Sequence, residues 1–77
     1  MRILFVEDEK KITDALSELC DVYGHECNII EDGEEGLMHA LSDAYDVVVL
    51  DIMLPGISGL DIVKKMRQNK KNTAVLI

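Results

Sequence analysis

Apolar residues fall along the chain in two alternating arrangements, short unbroken runs and stripes with helical spacing. Ile3 to Val6 is a short apolar run of β-branched and aromatic character, which predicts a strand, and it is followed at once by acids. From about Glu9 to Tyr23, Ile12, Ala15, Leu16, Leu19, Cys20 and Tyr23 recur at three- and four-residue steps. That stripe predicts an amphipathic helix, with Gly24 as its stop. Cys27 to Ile30 reads as a second, more polar strand. Asp32 with Glu35 three residues later marks the start of a second helix, carrying Leu37, Ala40, Leu41 and Ala44 inward. Val47 to Leu50 is a third strand. Ser58 with Asp61 caps a third helix whose Leu60, Ile62, Val63 and Met66 point to the core, and Thr73 to Ile77 begins a fourth strand.

Strands alternating with helices imply right-handed crossovers and a parallel sheet covered on both faces, a doubly wound α/β fold. The runs VVVL and ILFV are uniformly apolar, as central strands are, whereas ECNIIE has polar ends that suit an edge. The strand order is therefore 2-1-3-4. Such a sheet grows in opposite directions from strands 1 and 3, and ligands bind where their C-terminal ends diverge. Glu7, Asp8 and Asp51 all fall there.

Composition narrows the classes. The 77 residues make one domain at most, 48% hydrophobic and 30% charged, with no low-complexity or linker-like tract. Fifteen acidic against eight basic residues give a formal charge of −7, which opposes binding to nucleic acid or anionic membranes. The one basic cluster, Lys64, Lys65, Arg67, Lys70 and Lys71, is read as a solvated helix face and C-terminus. Cys20 and Cys27 are too far apart for a CxxC motif and each occupies an apolar position, so both are expected as reduced core residues. The apolar run near the N-terminus is too short for a signal peptide or a membrane span, and the expected location is the cytoplasm.

Neighbouring parallel strands lie about 4.8 Å apart, so the turns leaving strands 1 and 3 bring Asp8 and Asp51 to one small object, with Glu7 close by. Three carboxylates that close repel one another unless a cation neutralises them, and hard oxygen donors suit Mg²⁺ or Mn²⁺. A carboxylate beside such an ion can attack phosphorus, and Asp51 suits that role better than Asp8 because it ends a central strand ahead of a loop whose Gly56 and Gly59 permit close backbone approach. The plainer alternative is that these acids are solvated strand ends or helix caps, as Asp8 could be for the first helix.

RILFVEDE and YDVVVLDIMLPGISGLD, with the spacing between them, resemble the receiver domain of bacterial two-component response regulators over the whole chain, most of all the branch joined to winged-helix DNA-binding domains. The resemblance implies a flavodoxin-like sheet and a phosphoacceptor signalling module rather than an enzyme. Asp51 would take a phosphoryl group from a sensor histidine kinase. Mg²⁺ would be held by Asp8, Asp51 and the backbone carbonyl of Met53, with Glu7 reaching it through water. An output domain would control transcription. In the family a Ser or Thr ends the fourth strand, and a further helix, a fifth strand ending in Lys and a last helix follow. The sequence contains none of these, so residues 1–77 are read as a partial receiver domain truncated after the fourth strand, whose bare edge is expected to self-associate.

Other readings fit less well. A dinucleotide-binding module needs glycines after strand 1, where Glu7-Asp8-Glu9 would repel a pyrophosphate. An aspartyl-nucleophile phosphatase wants a second Asp two positions after the first, where Met53 stands. A receiver-like scaffold that works only through protein contacts would not need the three acids. His25 and His39 are read as surface residues, Met38 and Met66 as helix packing, and Tyr23 and Tyr45 as rings buried at the ends of elements with their hydroxyls exposed.

Overall fold

The computed structural model describes residues 1–77. Strands β1 (Arg2–Val6), β2 (Glu26–Ile30), β3 (Val47–Leu50) and β4 (Ala74–Leu76) alternate with helices α1 (Lys10–Tyr23), α2 (Gly33–Ala40) and α3 (Gly59–Gln68). Every strand pair is parallel and the order is β2-β1-β3-β4, as the apolar runs predict. Val6 pairs with Ile30 on one side and Leu50 on the other, so β1, β2 and β3 end level with one another.

Because side chains alternate across a strand, β1 and β3 each supply both faces of the sheet. Leu4, Val6, Val48 and Leu50 face α2 and α3 and close the core with Ala40, Ile62 and Met66. Gly36 permits this packing, since a Cβ there would lie 2.6 Å from a Val6 methyl. On the other face Phe5 and Val49 share a groove with Ile12 and Leu16 of α1.

Local chemistry sets the helix ends. The Asp32 carboxylate accepts the Glu35 N–H at 3.0 Å and the Ser58 hydroxyl accepts the Asp61 N–H at 3.2 Å, so both expected caps are in place. Gly24 closes α1 in the left-handed region at φ 71°, its N–H donating to the Cys20 carbonyl. At the C-terminus of α3 the Arg67 guanidinium donates to the carbonyls of Lys71 and Thr73, which fixes the turn into β4.

Several expected core positions lie outside the core. Leu60 is 56% exposed because it stands two residues, roughly 200° of helix turn, from the buried Ile62. Met38 is 74% exposed for the same reason, two positions from the buried Gly36, while Met66 is buried as expected. Ala44 follows the end of α2. The inward line of α1 runs through the buried Thr13 and Cys20 with the half-buried Leu16 between them, which leaves Ile12, Ala15, Leu19 and Tyr23 exposed to different degrees. The Tyr23 ring is therefore in solvent. Tyr45 is half-buried, and its hydroxyl accepts from Asn28 Nδ2 at 2.6 Å and lies 3.2 Å from His39 Nδ1. His39 and His25 are half-buried rather than on the open surface.

The cysteines also depart from expectation. Cys20 and Cys27 form a disulfide, with Cα atoms 6.4 Å apart, instead of two reduced thiols. Both do point inward as read. The turn at Tyr23, Gly24 and His25 folds β2 back along α1, which puts the two inward positions opposite each other across the seam.

Candidate metal centre

β1 and β3 end together, and the backbone that leaves them is held in place. The Asp51 N–H donates to the Val6 carbonyl at 2.9 Å and the Glu7 N–H to the Ile30 carbonyl at 3.0 Å, so the parallel ladder extends one residue into each acidic segment. Their side chains consequently converge. One carboxylate oxygen from each of Glu7, Asp8 and Asp51 lies within 4.8 Å of the others. Glu7 and Asp51 are half-buried and Asp8 is exposed.

Asp8 is not the cap of α1. The capping position is Glu9, whose carbonyl accepts the Ile12 and Thr13 N–H groups at 3.0 Å and whose side chain makes no cap bond. The plain structural role open to Asp8 is therefore not used, and its carboxylate is left to the cluster. The cost of gathering these charges falls on Glu7. Burial raises its pKa first, and the contact with Asp51 and the charges of Asp51 and Asp8 raise it further, against a lowering hydrogen bond from the Glu9 backbone. Three hard oxygen donors on two strand ends, one with its acidity suppressed by its neighbours, fit a divalent cation of the Mg²⁺ class.

The loop after Asp51 is shaped by contacts that the sequence pattern only partly signalled. The Met53 N–H donates to Asp51 Oδ1 at 3.2 Å, which brings the Met53 backbone beside the acids while its side chain stays 83% exposed. The Gly59 N–H donates to the Ile52 carbonyl at 3.0 Å, and a Cβ on Gly59 would collide with the Asp51 carbonyl. Gly33, not foreseen as a contributor, supports the far side: its N–H donates to the Pro55 carbonyl at 3.4 Å and a Cβ there would strike the Ile57 carbonyl. Its only sequence signal was its place directly after the Asp32 cap. Gly56 turns the loop at φ 85°.

The comparisons agree with this geometry. Residues 3–77 match the family described as the response regulator receiver domain. The transcriptional regulatory protein DltR of Streptococcus agalactiae is 42% identical over 76 residues, which cover 99% of this chain and 34% of DltR. The chain thus spans about a third of the length of such curated relatives. The response regulator TrrA of Thermotoga maritima, solved in complex with Mg²⁺–BeF, superposes with a TM-score of 0.85 at 43% identity, over 96% of this chain and 64% of that one. TrrA has also been solved in complex with the histidine kinase ThkA, where the TM-score is 0.83 over the same shares of the two chains. A family match along nearly the whole sequence, on a sheet whose order and acidic rim follow from the residues themselves, places this chain in the response regulator receiver domain family of two-component systems.

Proposed function

We propose that Asp51 is the phosphoacceptor of a Mg²⁺-dependent phosphorelay, receiving its phosphoryl group from a phosphohistidine on a sensor kinase. The observation that carries this reading is the convergence of the Glu7, Asp8 and Asp51 carboxylates within 4.8 Å at the ends of two adjacent strands. The TrrA structures, one with Mg²⁺–BeF and one with a histidine kinase, support the ion and the partner.

Asp51 and Asp8 are the direct ligands in this reading, with the Met53 carbonyl, and Glu7 acts through water. When bound, the cation offsets the charge that the acids and the phosphoryl group bring together. The chain's own part is to present the nucleophile. The bond from the Asp51 N–H to Val6 fixes the backbone, and the Met53 N–H orients one carboxylate oxygen. A carboxylate oxygen of Asp51 forms the new bond to phosphorus while the phosphorus–nitrogen bond to the kinase histidine breaks, its electron pair staying on the imidazole. The module serves as a signalling acceptor, not as an enzyme, in the cytoplasm, and the transcriptional role of relatives such as DltR points to control of transcription as the output. Against the phosphatase reading, position 53 offers an exposed thioether where a second acid would be needed.

Intact mass after incubation with acetyl phosphate and Mg²⁺ tests the assignment. The expected result is a single labile phosphoryl adduct on the wild type, absent on Asp51→Asn and absent when EDTA replaces Mg²⁺. An adduct that persists on Asp51→Asn would assign the chemistry to another residue, and no adduct on the wild type would favour a scaffold.

A further inference from the structure

The disulfide lies on the weakly packed side of the sheet. The close-packed core is built wholly on the face toward α2 and α3, and of the α1 side chains only Thr13 and Cys20 are buried. Ile12 and Leu19 remain 43% and 53% exposed, so apolar burial alone holds α1 loosely. Beyond the main chain, the bond from Cys20 to Cys27 is the one covalent tie between this helix and the sheet.

We propose that Cys20 and Cys27 form a reversible thiol–disulfide exchange site, with low-molecular-weight thiols and disulfides of the glutathione class as reactants, whose oxidised form clamps α1 to β2. The inference rests in part on the cytoplasmic placement proposed above. Lasting structural disulfides are uncommon in that compartment, and those that do form there are mostly transient or redox-sensing.

The geometry suits exchange. β2 is an edge strand, and Cys27 on it is only partly buried, with Ile3 of β1 as its one neighbour across the sheet. Cys20 is 7% exposed, at the floor of an apolar groove between α1 and β1. An incoming thiolate attacks the Cys27 sulfur, and the Cys20 sulfur leaves as a thiolate and takes up a proton. A second thiol attacks the mixed disulfide and releases Cys27 as a thiol and the small molecule as its disulfide. Two small thiols are thus oxidised and the protein disulfide is reduced; oxidation is the reverse, with a small-molecule disulfide as the oxidant. Both forms fit the fold, because the helix and strand already hold the two inward positions opposite each other and two thiols can occupy the same seam.

Two readouts, neither of which involves a metal, test the site on the 77-residue chain. The first is the thiol content of the wild type after equilibration in glutathione buffers running from reduced to oxidised. The expected result is a pair mostly reduced at one end and mostly oxidised at the other. A pair locked in either state throughout overturns the exchange. The second is hydrogen exchange of the oxidised and reduced wild type. Reduction is expected to speed exchange of the α1 amides around Leu16 to Tyr23 by about tenfold or more, with β1 and β3 amides little changed. Equal α1 protection in the two forms overturns the clamp. Cys20→Ser and Cys27→Ser should both reproduce the reduced pattern without reductant. If either variant fails to fold, the chemically reduced wild type still decides. Because Mg²⁺ is absent throughout, these results stand apart from the fate of the phosphoacceptor assignment.

Discussion

Gly59, the first residue of α3, lies so close to Asp51 that the smallest side chain at position 59 would strike the Asp51 backbone carbonyl. The start of the third helix and the end of the central strand are therefore one unit. Gly59→Ala should push the Asp51 backbone out of register with Val6, costing about 1–3 kcal/mol as overpacking does and reducing adduct formation from acetyl phosphate as well. Gly56→Ala separates strain from contact. Gly56 has φ 85° and its nearest neighbour, Glu34 Cγ, would be 3.5 Å from a Cβ. It should lose about 1–2 kcal/mol through left-handed strain alone, with a smaller effect on acceptance. Urea denaturation and intact mass on both variants check the pair.

Acid–base linkage at Glu7 has a definite sign. Its pKa is raised in the fold by burial and by Asp51 and Asp8, so the folded chain keeps a proton that the unfolded chain releases. Stability from this group is thus lost as pH rises from the unfolded value of about 4.3 up to the folded value, and the deficit is constant above that. In the metal-free chain, Glu7→Gln should be more stable than the wild type at neutral pH, and the gap should close as pH falls through that window. Mg²⁺ should raise the melting temperature of the wild type at pH 7.5 and do so progressively less as pH falls toward the unfolded value of about 4.3, where protons compete for the carboxylate. Thermal scans across that range, with and without Mg²⁺, decide the matter; a Mg²⁺ gain that does not change with pH would contradict the assignment.

Asp8 and Asp32 each stand before a helix, yet substitution should affect them in opposite ways. Asp32→Ala removes the acceptor for the Glu35 N–H and should cost about 1 kcal/mol of stability, as a lost cap does. Asp8→Ala removes no cap, because Glu9 holds that position in α1, and it relieves repulsion on Glu7. Metal-free stability should stay level or rise, while most of the Mg²⁺-dependent gain in melting temperature disappears. Denaturation in EDTA and in Mg²⁺ separates the two aspartates.

The acidic rim was legible in the sequence because it depends on backbone order alone. Two uniformly apolar runs had to be the central strands, and the residues that follow them had to meet. What the pattern could not give was the rotation of each helix about its own axis. The stripe of α1 admits seats differing by a fraction of a turn, and the seat adopted buries Thr13 and Cys20, with Leu16 half-buried between them, rather than Ile12 and Tyr23. The disulfide was missed for a related reason. Spacing argued against a CxxC motif, but proximity came from the reversal at Gly24, which brings two inward positions of successive elements together. The contact at Gly33 depends on where the loop from Pro55 to Ile57 docks, and nothing local to Gly33 encodes that.

The rotation of α3 gives the last prediction, since Leu60 and Ile62 looked alike in sequence and sit on opposite sides of the helix. Ile62 is fully buried against β1 and β3 side chains, whereas Leu60 is 56% exposed. Emptying a buried aliphatic site costs about 2–5 kcal/mol, transfer and cavity together. An exposed truncation changes stability by no more than about 0.5 kcal/mol. A chain of this length has a total stability of only about 4–12 kcal/mol, so Ile62→Ala should remove a large part of it while Leu60→Ala melts with the wild type. Circular dichroism on urea titrations of the two variants measures the contrast. A larger loss from Leu60→Ala than from Ile62→Ala would mean that α3 is seated with Leu60 turned toward the sheet. The same rotation would also carry the Gly59 contact away from Asp51, so the two glycine variants described above would lose their difference as well.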